Sequence, residues 1–205
     1  MKLHCALGTI SGAVAIALHE AQIPFEPVFI DFSGGEQNGE AFRALNPNGR
    51  VPLLETPDGL LTETPAILDY IAAIKPEAGL LPDAPYAAAQ TRAVMSFLNS
   101  TFHVNHAHRF RGHRWADHET SFEDMRQKVP QTMTESAAFL ENSLPLAPFA
   151  MGSTVTLADA YLYVTTGWLA GDGVDMSAFP KLTAFRAAYG ARPAVKAAQD
   201  QGIVR

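Results

Sequence analysis

Residues 46–67, from Asn46 to Ile67, read NPNGRVPLLETPDGLLTETPAI. A proline heads an apolar run at Val51-Pro52, and Asp58-Gly59 is a strong signal for a tight hairpin turn. Thr64-Pro65 is typical of a helix start, with a hydroxyl at the N-cap and proline at the first helical position. The run therefore predicts two strands and a helix: Val51–Thr56, Leu60–Thr62 and Thr64–Ile74.

The same stretch offers two kinds of contact to a ligand. Proline cannot donate to a sheet ladder, so Val51-Pro52 is expected at a strand edge or in a special turn, sometimes cis. Such a turn leaves main-chain groups open to an extended peptide. The free N–H groups and the positive dipole end at Thr64 favour a carboxylate. This combination fits a small anionic peptide.

The residues before this stretch complete an α/β unit. Lys2–Leu7 and Phe25–Asp31 have strand patterns, and Ser11–Gln22 has a helix pattern with Ser11 as its N-cap. Glu40–Leu45 predicts a short helical turn. The order β-α-β-α-β-β-α implies a small α/β layer with a mixed sheet.

A proline- and glycine-rich break over Lys75–Pro85 separates this unit from a region without a convincing strand. Four later segments carry apolar residues at helical spacing, the last interrupted at Arg192-Pro193: Tyr86–Gly112, Glu119–Leu144, Leu157–Ala170 and Phe179–Gln201. The predicted fold class is α/β plus all-α. The predicted domains are an α/β domain over 1–77, a linker over 78–85 and an all-helical domain over 86–205.

The composition narrows the class of protein. Of the 205 residues, 47% are hydrophobic and 18% charged, and the formal net charge of −6 argues against a nucleic-acid surface. The single cysteine, Cys5, excludes internal disulfides and is interpreted as a buried small hydrophobe. Gly12–Leu18 is interpreted as a buried helix, and no run approaches the ~20 apolar residues that span a bilayer. A cytoplasmic protein without membrane or nucleic-acid partners is expected.

The whole chain resembles the glutathione transferase superfamily in its order of elements, Val51-Pro52, the Glu63-Thr64 pair and the helical second half. Met1-Lys2-Leu3, the run from Asn46 to Pro52, and Leu98-Asn99 followed by His106 are most similar to the bacterial beta class. Thr156-x-x-Asp159 is similar to the capping box of the superfamily's core helix. The resemblance implies a thioredoxin-like first domain, glutathione as co-substrate, a small electrophile as second substrate and a homodimer.

The resemblance also implies residues that hold glutathione. The Val51 main chain is expected to pair with the cysteinyl unit, with Pro52 holding the turn. At the γ-glutamyl end, Glu63 is expected to face the ammonium and Thr64 the carboxylate. Arg50 stands where beta-class proteins often have glutamine.

Further positions follow from the beta-class pattern. Ile10 stands at the position of the beta-class cysteine, so no mixed disulfide with glutathione is expected there. Ile10 is still expected to be one of the residues that line the glutathione site. Asn99 and His106 match positions on the first long helix that face the active site. For Asn99, this is the active site either of its own subunit or of the other subunit across a dimer interface. A beta-class tyrosine and two lysines are also replaced, by Cys5, Ala107 and Gly34 or Gly35.

Without that cysteine, the chain must activate the glutathione thiol by other groups. Lowering a thiol pKa of about 8.5 by ~2 units needs about 2.7 kcal/mol. The Ser11 hydroxyl at the helix N-terminus, or Thr9 from the same turn, is expected to donate a hydrogen bond to the thiolate. Alternatively, Ser11 is only a helix cap. His106 or Asn99 is expected to polarise the electrophile or hold a water.

Residues 103–115 read HVNHAHRFRGHRW, which is the least generic stretch of the chain. His103 and His106 fall on one helical face. No metal is expected, because no cysteine or acid accompanies them at ligand spacing and the arginines repel a cation. The stretch is either a solvated face or a cationic wall of the second-substrate pocket, where His103, Arg109 and Arg111 favour acidic electrophiles. The tryptophans Trp115 and Trp168 are interpreted as packing residues.

These observations predict a glutathione S-transferase that conjugates small electrophiles or reduces peroxides, with a role in detoxification. The alternative is a non-catalytic glutathione-binding or regulatory protein, because the fold alone does not settle activity. A glutathione-dependent isomerase is a third possibility.

Overall fold

The computed structural model describes residues 1–205, and contacts between its residues define two compact units. The first contains Met1–Ala88 together with Gly190–Arg205, and the second contains Ala89–Tyr189. The predicted domain boundaries at 1–77, 78–85 and 86–205 stay a prediction. The two compact units differ from these boundaries mainly at the end of the chain, because residues 190–205 belong to the α/β unit and not to the helical unit.

The strands and helices follow the predicted order. The strands are β1 (Lys2–Cys5), β2 (Glu26–Phe29), β3 (Leu53–Thr56) and β4 (Gly59–Thr62). The helices are α1 (Ser11–Glu20), α2 (Glu40–Leu45), α3 (Thr64–Ile74), α4 (Pro85–Phe97), α5 (His103–Ala107), α6 (Glu119–Ser143), α7 (Leu157–Thr166), α8 (Pro180–Gly190) and α9 (Pro193–Asp200).

The first unit is a mixed four-stranded sheet with helices, as predicted for a thioredoxin-like domain. The strand order is β2-β1-β3-β4, in which β1 and β2 are parallel and the other pairs antiparallel. The core consists of apolar side chains from the central strands, α1 and α3, which include Leu3, Leu54, Ile16 and Leu68. Since α1 is apolar on nearly every side, it must be covered all round. One of the helices that cover it is α9.

Two side-chain contacts hold α9 against α1. Arg192 donates two hydrogen bonds to the Glu20 carboxylate, at 2.6 and 2.7 Å, and His19 contacts Gln201 at 2.9 Å. The Glu20 side chain is only 9% exposed, so this bidentate pair is shielded from most competition by water.

The second unit is all-helical, as predicted, but its first helical segment is not continuous. Tyr86–Gly112 was expected to be one helix. Instead α4 ends at Phe97, a π-helical turn covers Leu98–Phe102, and α5 ends at Ala107. The wide turn changes which side chains share a face, and such turns occur frequently at functional sites. No helix of this chain is long and apolar enough to cross a bilayer.

The predicted capping box at the start of α7 is confirmed. The Asp159 carboxylate accepts hydrogen bonds from the Thr156 N–H at 2.7 Å, the Thr156 hydroxyl at 3.0 Å and the Ala150 N–H at 2.7 Å. Asp159 is completely buried, so this carboxylate joins the helix start to the preceding loop inside the core.

Candidate active site

Three loops of the first unit lie at the same end of the sheet. β1 pairs His4 with Leu53, and β3 pairs Leu53 with Thr62. The chain segments just beyond these paired residues are the β1–α1 turn, Val51-Pro52 and Glu63-Thr64. The register therefore brings together residues 6–11, 50–52 and 63–64, which we call the strand-end site.

Val51 presents an open main chain within this site. The Val51-Pro52 peptide bond is cis, and the Val51 side chain packs in a cluster with Ala6, Phe42 and Leu53. The Val51 N–H and C=O have no hydrogen-bond partner within the chain. The anchored side chain leaves these two main-chain groups available to an extended ligand.

Asn46 shapes the loop that leads to Val51. Its side chain is buried and donates a hydrogen bond to the Arg50 carbonyl at 2.7 Å, while it accepts one from the Asn48 N–H at 3.1 Å. The Arg50 side chain is exposed. The loop is thus held from inside by a side-chain amide rather than by a sheet ladder.

The start of α3 differs from the prediction in one respect. Thr64 was expected to be the N-cap, but it is the first helical residue, and Glu63 is the N-cap without a side-chain capping bond. Glu63 has φ +68°, a conformation that costs a residue with a Cβ about 1–3 kcal/mol and that clusters at functional sites. The N–H groups of Thr64 and Ala66 and the Thr64 hydroxyl have no partner within the chain. This helix end can accept an anion.

The β1–α1 turn contains two hydroxyls that contact each other. Ser11 was expected to be the N-cap of α1, but Ile10 occupies that position and Ser11 is the first helical residue. The Ser11 Oγ lies 2.7 Å from the Thr9 Oγ1 and accepts a hydrogen bond from the Ala6 N–H at 3.2 Å. Ser11 is completely buried, whereas Thr9 is partly exposed and donates to the Ala6 carbonyl at 2.8 Å. Thr9 is therefore the more accessible residue of this pair.

Two further residues of this end are enclosed. Ile10 is 5% exposed, and Cys5 is completely buried. Burial raises the pKa of the Cys5 thiol to about 11, so the thiol stays protonated at neutral pH. The interpretation of Cys5 as a small hydrophobe agrees with this environment.

In the second unit, a buried carboxylate joins two residues of the 103–115 stretch. The Asp172 side chain is fully buried, and its two oxygens contact His106 Nδ1 at 2.7 Å and an Arg109 guanidinium nitrogen at 3.1 Å. We call His103, His106, Arg109, Trp168 and Asp172 the Asp172 cluster. The charge of Arg109 is compensated within this cluster, so the 103–115 stretch is less cationic than its sequence indicates.

Aromatic contacts fix the histidines of this cluster. The His106 ring stacks on Trp168 with centroids 4.3 Å apart and an interplanar angle of 20°. His103 lies 5.0 Å from the same indole, centroid to centroid. Trp168 was interpreted as a packing residue, and its packing partners are the two candidate functional histidines.

Two other predicted residues lie nearby in the chain. Asn99 is an exposed residue of the π-helical turn and accepts a hydrogen bond from the Tyr161 hydroxyl at 3.2 Å. Arg111 is partly exposed just beyond α5. A pocket of about 260 Å³ lies beside the cluster and is lined by Arg109, Phe110, His108, Gly112, His113, Glu119, Phe122 and Arg126. Burial lowers the pKa of His108 on its wall.

Comparison with known proteins identifies the family of this chain. The family model of the glutathione S-transferase N-terminal domain matches residues 2–73, and that of the glutathione S-transferase C-terminal domain matches residues 91–193. The chain belongs to the glutathione S-transferase family. The predicted resemblance to this family is therefore confirmed.

Relatives support the assignment across the whole transferase fold. Glutathione S-transferase GST-4.5 of Xanthomonas campestris pv. campestris is 34% identical over 190 residues, which cover 90% of each chain. A glutathione transferase homolog from Sulfitobacter, solved with bound glutathione, is 50% identical with a TM-score of 0.97 over 98% of both chains. The bacterial beta class glutathione S-transferase of Sphingomonas chungbukensis is 34% identical, with a TM-score of 0.86 over 98% of both chains.

Sequence reasoning missed two residues of the transferase structure. Asp172 follows α7 in a turn without any motif, 66 residues from His106 along the chain, so no local signal indicates the contact. Asn46 belongs to the run that resembles the beta class, but no role is assigned to it from the sequence. Its signal was available, because Asn followed by Pro and Gly is typical of a turn shaped by a side chain.

The structure holds no group of three or more His, Cys, Asp or Glu side chains that could bind a metal ion. His103 and His106 are spaced for a shared face, with ring centroids 6.4 Å apart. His106 Nδ1, however, is already occupied by Asp172.

Proposed function

We propose that this chain is a glutathione S-transferase that binds glutathione in the strand-end site and activates its thiol for attack on a small electrophile, by conjugation or peroxide reduction. The observation that carries the proposal is the unpaired Val51 main chain, which lies at the same sheet end as the start of α3. A tripeptide added to this edge gains main-chain hydrogen bonds, and its acidic end meets the free N–H groups of the helix.

Each part of glutathione has a proposed partner. The Val51 N–H and C=O pair with the cysteinyl unit, and Pro52 holds the turn. The Thr64 hydroxyl and main-chain N–H groups bind the α-carboxylate of the γ-glutamyl end, and Glu63 binds its ammonium. Ile10, Arg50 and Asn99 complete the proposed set on the strength of the beta-class pattern.

The two hydroxyls of the β1–α1 turn have different roles in thiol activation. Thr9 is the more accessible residue, and it turns its proton from the Ala6 carbonyl to the glutathione sulfur. Ser11 stays buried and donates to Thr9 Oγ1, which makes Thr9 a stronger donor because linked hydrogen bonds polarise one another. Ser11 is thus a positioning residue, and Thr9 is the catalytic hydroxyl.

The thiol step is tested by measuring the thiolate absorbance of bound glutathione against pH. Removal of the hydroxyl in Thr9→Val is expected to raise the pKa of the bound thiol by about 1–2 units, the equivalent of one hydrogen bond to a charged group. Thr9→Ser keeps the hydroxyl and is the matched control. An unchanged thiol pKa in Thr9→Val would assign the activation to another group.

The function as a whole is tested by calorimetry with glutathione and by turnover of an aromatic halide. Uptake of glutathione is expected, with weaker uptake by Glu63→Gln. Glu40→Gln, which changes an exposed acid in the first turn of α2, is the matched control and is expected to bind like the wild type. Absence of uptake at millimolar glutathione contradicts the proposal, and tight uptake without turnover of any electrophile supports the non-catalytic alternative.

His103, His106, Arg109 and Arg111 are proposed to contact the electrophile, and His106 is proposed to act on it directly. Because Asp172 compensates the charge of Arg109, the two arginines are expected to contribute unequally to a preference for acidic electrophiles. Arg109→Ala and Arg111→Ala are compared on an anionic and a neutral electrophile of similar size. Equal losses on both substrates would remove the proposed preference.

The remaining expectations concern the cell and the assembly. A homodimer, a cytoplasmic location and a role in detoxification are proposed from the family resemblance and from the single buried cysteine. Sedimentation of the purified protein tests the dimer, and a monomer at micromolar concentration would contradict it.

A further inference from the structure

The Asp172 carboxylate determines where His106 carries its proton. Asp172 is enclosed by protein, and one of its oxygens accepts a hydrogen bond from the Arg109 guanidinium at 3.1 Å. Its other oxygen lies 2.7 Å from His106 Nδ1. A carboxylate oxygen can only accept, so Nδ1 must carry a hydrogen at this distance. In neutral His106 the unprotonated nitrogen is therefore Nε2.

The Nε2 atom is available to a ligand. No group of the chain is hydrogen-bonded to it, and the His106 side chain is 19% exposed. The opposite nitrogen is the one that the buried carboxylate holds. The exposed part of the imidazole thus includes a hydrogen-bond acceptor at a fixed position.

Trp168 prevents the ring from turning over. Its indole stacks on the His106 ring at 4.3 Å, and the Asp172 main chain is tied to the same turn, where its N–H donates to the Trp168 carbonyl at 3.0 Å. A flip of the ring would break the 2.7 Å contact and leave the buried carboxylate with one partner. Ring plane, tautomer and carboxylate are fixed together.

We propose that Asp172 is a positioning residue for the transferase reaction: it holds His106 in the tautomer protonated at Nδ1, so that Nε2 accepts a hydrogen bond or a proton from water or from a hydroxyl group of the electrophile. When an O–H proton moves to Nε2, the oxygen keeps the electron pair, and the imidazolium that forms lies against the Asp172 carboxylate. Asp172 contacts His106 directly, Arg109 contacts the same carboxylate, and the His103 ring lies 6.4 Å from the His106 ring, centroid to centroid.

The inference rests on the proposed function for its role in turnover, but its structural part is tested without any substrate. Nitrogen NMR of the ¹⁵N-histidine-labelled protein distinguishes the two ring tautomers, and His106→Gln identifies the His106 signals among the seven histidines. In its neutral form, His106 of the wild type is expected to show a protonated Nδ1 and an unprotonated Nε2. A protonated Nε2 in the neutral ring would overturn the proposal.

The role in turnover is tested with Asp172→Asn, which keeps the shape and removes the charge. The neutral tautomer is expected to become mixed, and kcat for the electrophile to fall about 10- to 100-fold, with the KM for glutathione unchanged. Asp175→Asn changes an exposed carboxylate three residues further on and is expected to behave like the wild type. An unchanged tautomer and an unchanged kcat in Asp172→Asn would overturn the proposal. Failure of the wild-type protein to bind glutathione would contradict only the proposed function.

Discussion

The strand-end site and the Asp172 cluster differ in the kind of chemical group that forms them. The strand-end site is largely main chain: an unpaired Val51 peptide unit, the free N–H groups of α3 and a turn of small hydroxyl residues. The Asp172 cluster is entirely side chains, joined across 63 and 66 positions of the sequence. A backbone-built site tolerates changes of side chain, whereas a cluster built on one buried carboxylate depends on a single residue.

The largest expected effect comes from Asp159, another buried carboxylate of the helical unit. Asp159→Asn removes a charge that accepts three hydrogen bonds at 3.0 Å or less, and the donors it leaves are enclosed. We expect a loss of about 3 kcal/mol or more in the free energy of unfolding, which lowers Tm by roughly 10 °C for a chain of this size. Thermal and urea unfolding measure both quantities.

The control for this change is Asp172→Asn, which sharpens the comparison between buried carboxylates. Its partners His106 and Arg109 are 19% and 37% exposed at their side chains, so water can replace part of what they lose. The expected loss is about 1–2 kcal/mol. A loss in Asp172→Asn as large as in Asp159→Asn would show that the cluster carries stability rather than positioning.

The two sites also differ in how far the sequence predicts them. Strands, the Asp58-Gly59 hairpin and the Thr156–Asp159 box depend on neighbours within a few residues, so their chemistry can be recognised locally. Once the hairpin is known, its register brings Val51-Pro52 next to Glu63-Thr64. The position of the main-chain site therefore follows from local signals.

Three features could not be predicted from local signals. Asp172 is one of many acids in turns, and only the packed helices bring it to His106. Ser11 has the residue type of an N-cap, but the packing of β1 against α1 turns its hydroxyl inward to Ala6. Glu63 adopts a positive φ, although glycine is the residue that this backbone normally selects. Each depends on tertiary structure that outweighs local preference.

A substitution at Glu63 separates binding from stability in the strand-end site. In Glu63→Gly the backbone strain of about 1–3 kcal/mol is relieved, while the more flexible unfolded chain costs about 0.5–1 kcal/mol. We expect the free energy of unfolding to rise by about 1 kcal/mol and glutathione affinity to fall at least about tenfold, because the acid that meets the ammonium is lost. Unfolding curves and calorimetry measure the two effects.

Glu63→Ala is the matched variant, since it removes the carboxylate and keeps a Cβ at φ +68°. It is expected to lose the same affinity without the gain in stability. If Glu63→Gly bound glutathione as tightly as the wild type, the main-chain groups alone would account for recognition, and the site would be more purely backbone-built than proposed.

The smallest expected effect concerns Cys5, the only cysteine of the chain, at the end of β1. Burial raises its pKa to about 11 in the folded state, above the unperturbed value of 9.0, so the unfolded chain loses this proton first. The contribution to stability is therefore fully present below pH 9 and declines as pH rises towards 11. Thermal melts at pH 8 and pH 9.5 are expected to differ more in the wild type than in Cys5→Ala, by less than about 1 kcal/mol in the free energy of unfolding.

The same burial makes Cys5 unreactive. At pH 8 a thiol with a pKa near 11 has roughly 100-fold less thiolate than one with the unperturbed pKa of 9.0, and enclosure slows a bulky disulfide reagent further. Labelling of the folded protein is expected to be negligible, and one thiol is expected to react after denaturation. Rapid labelling of the folded state would mean that the strand-end site opens to Cys5, and that a side-chain thiol lies within reach of the ligand. The strand-end site would then contain a reactive side chain at the end of β1, and it could no longer be described as a site built mainly from main-chain groups.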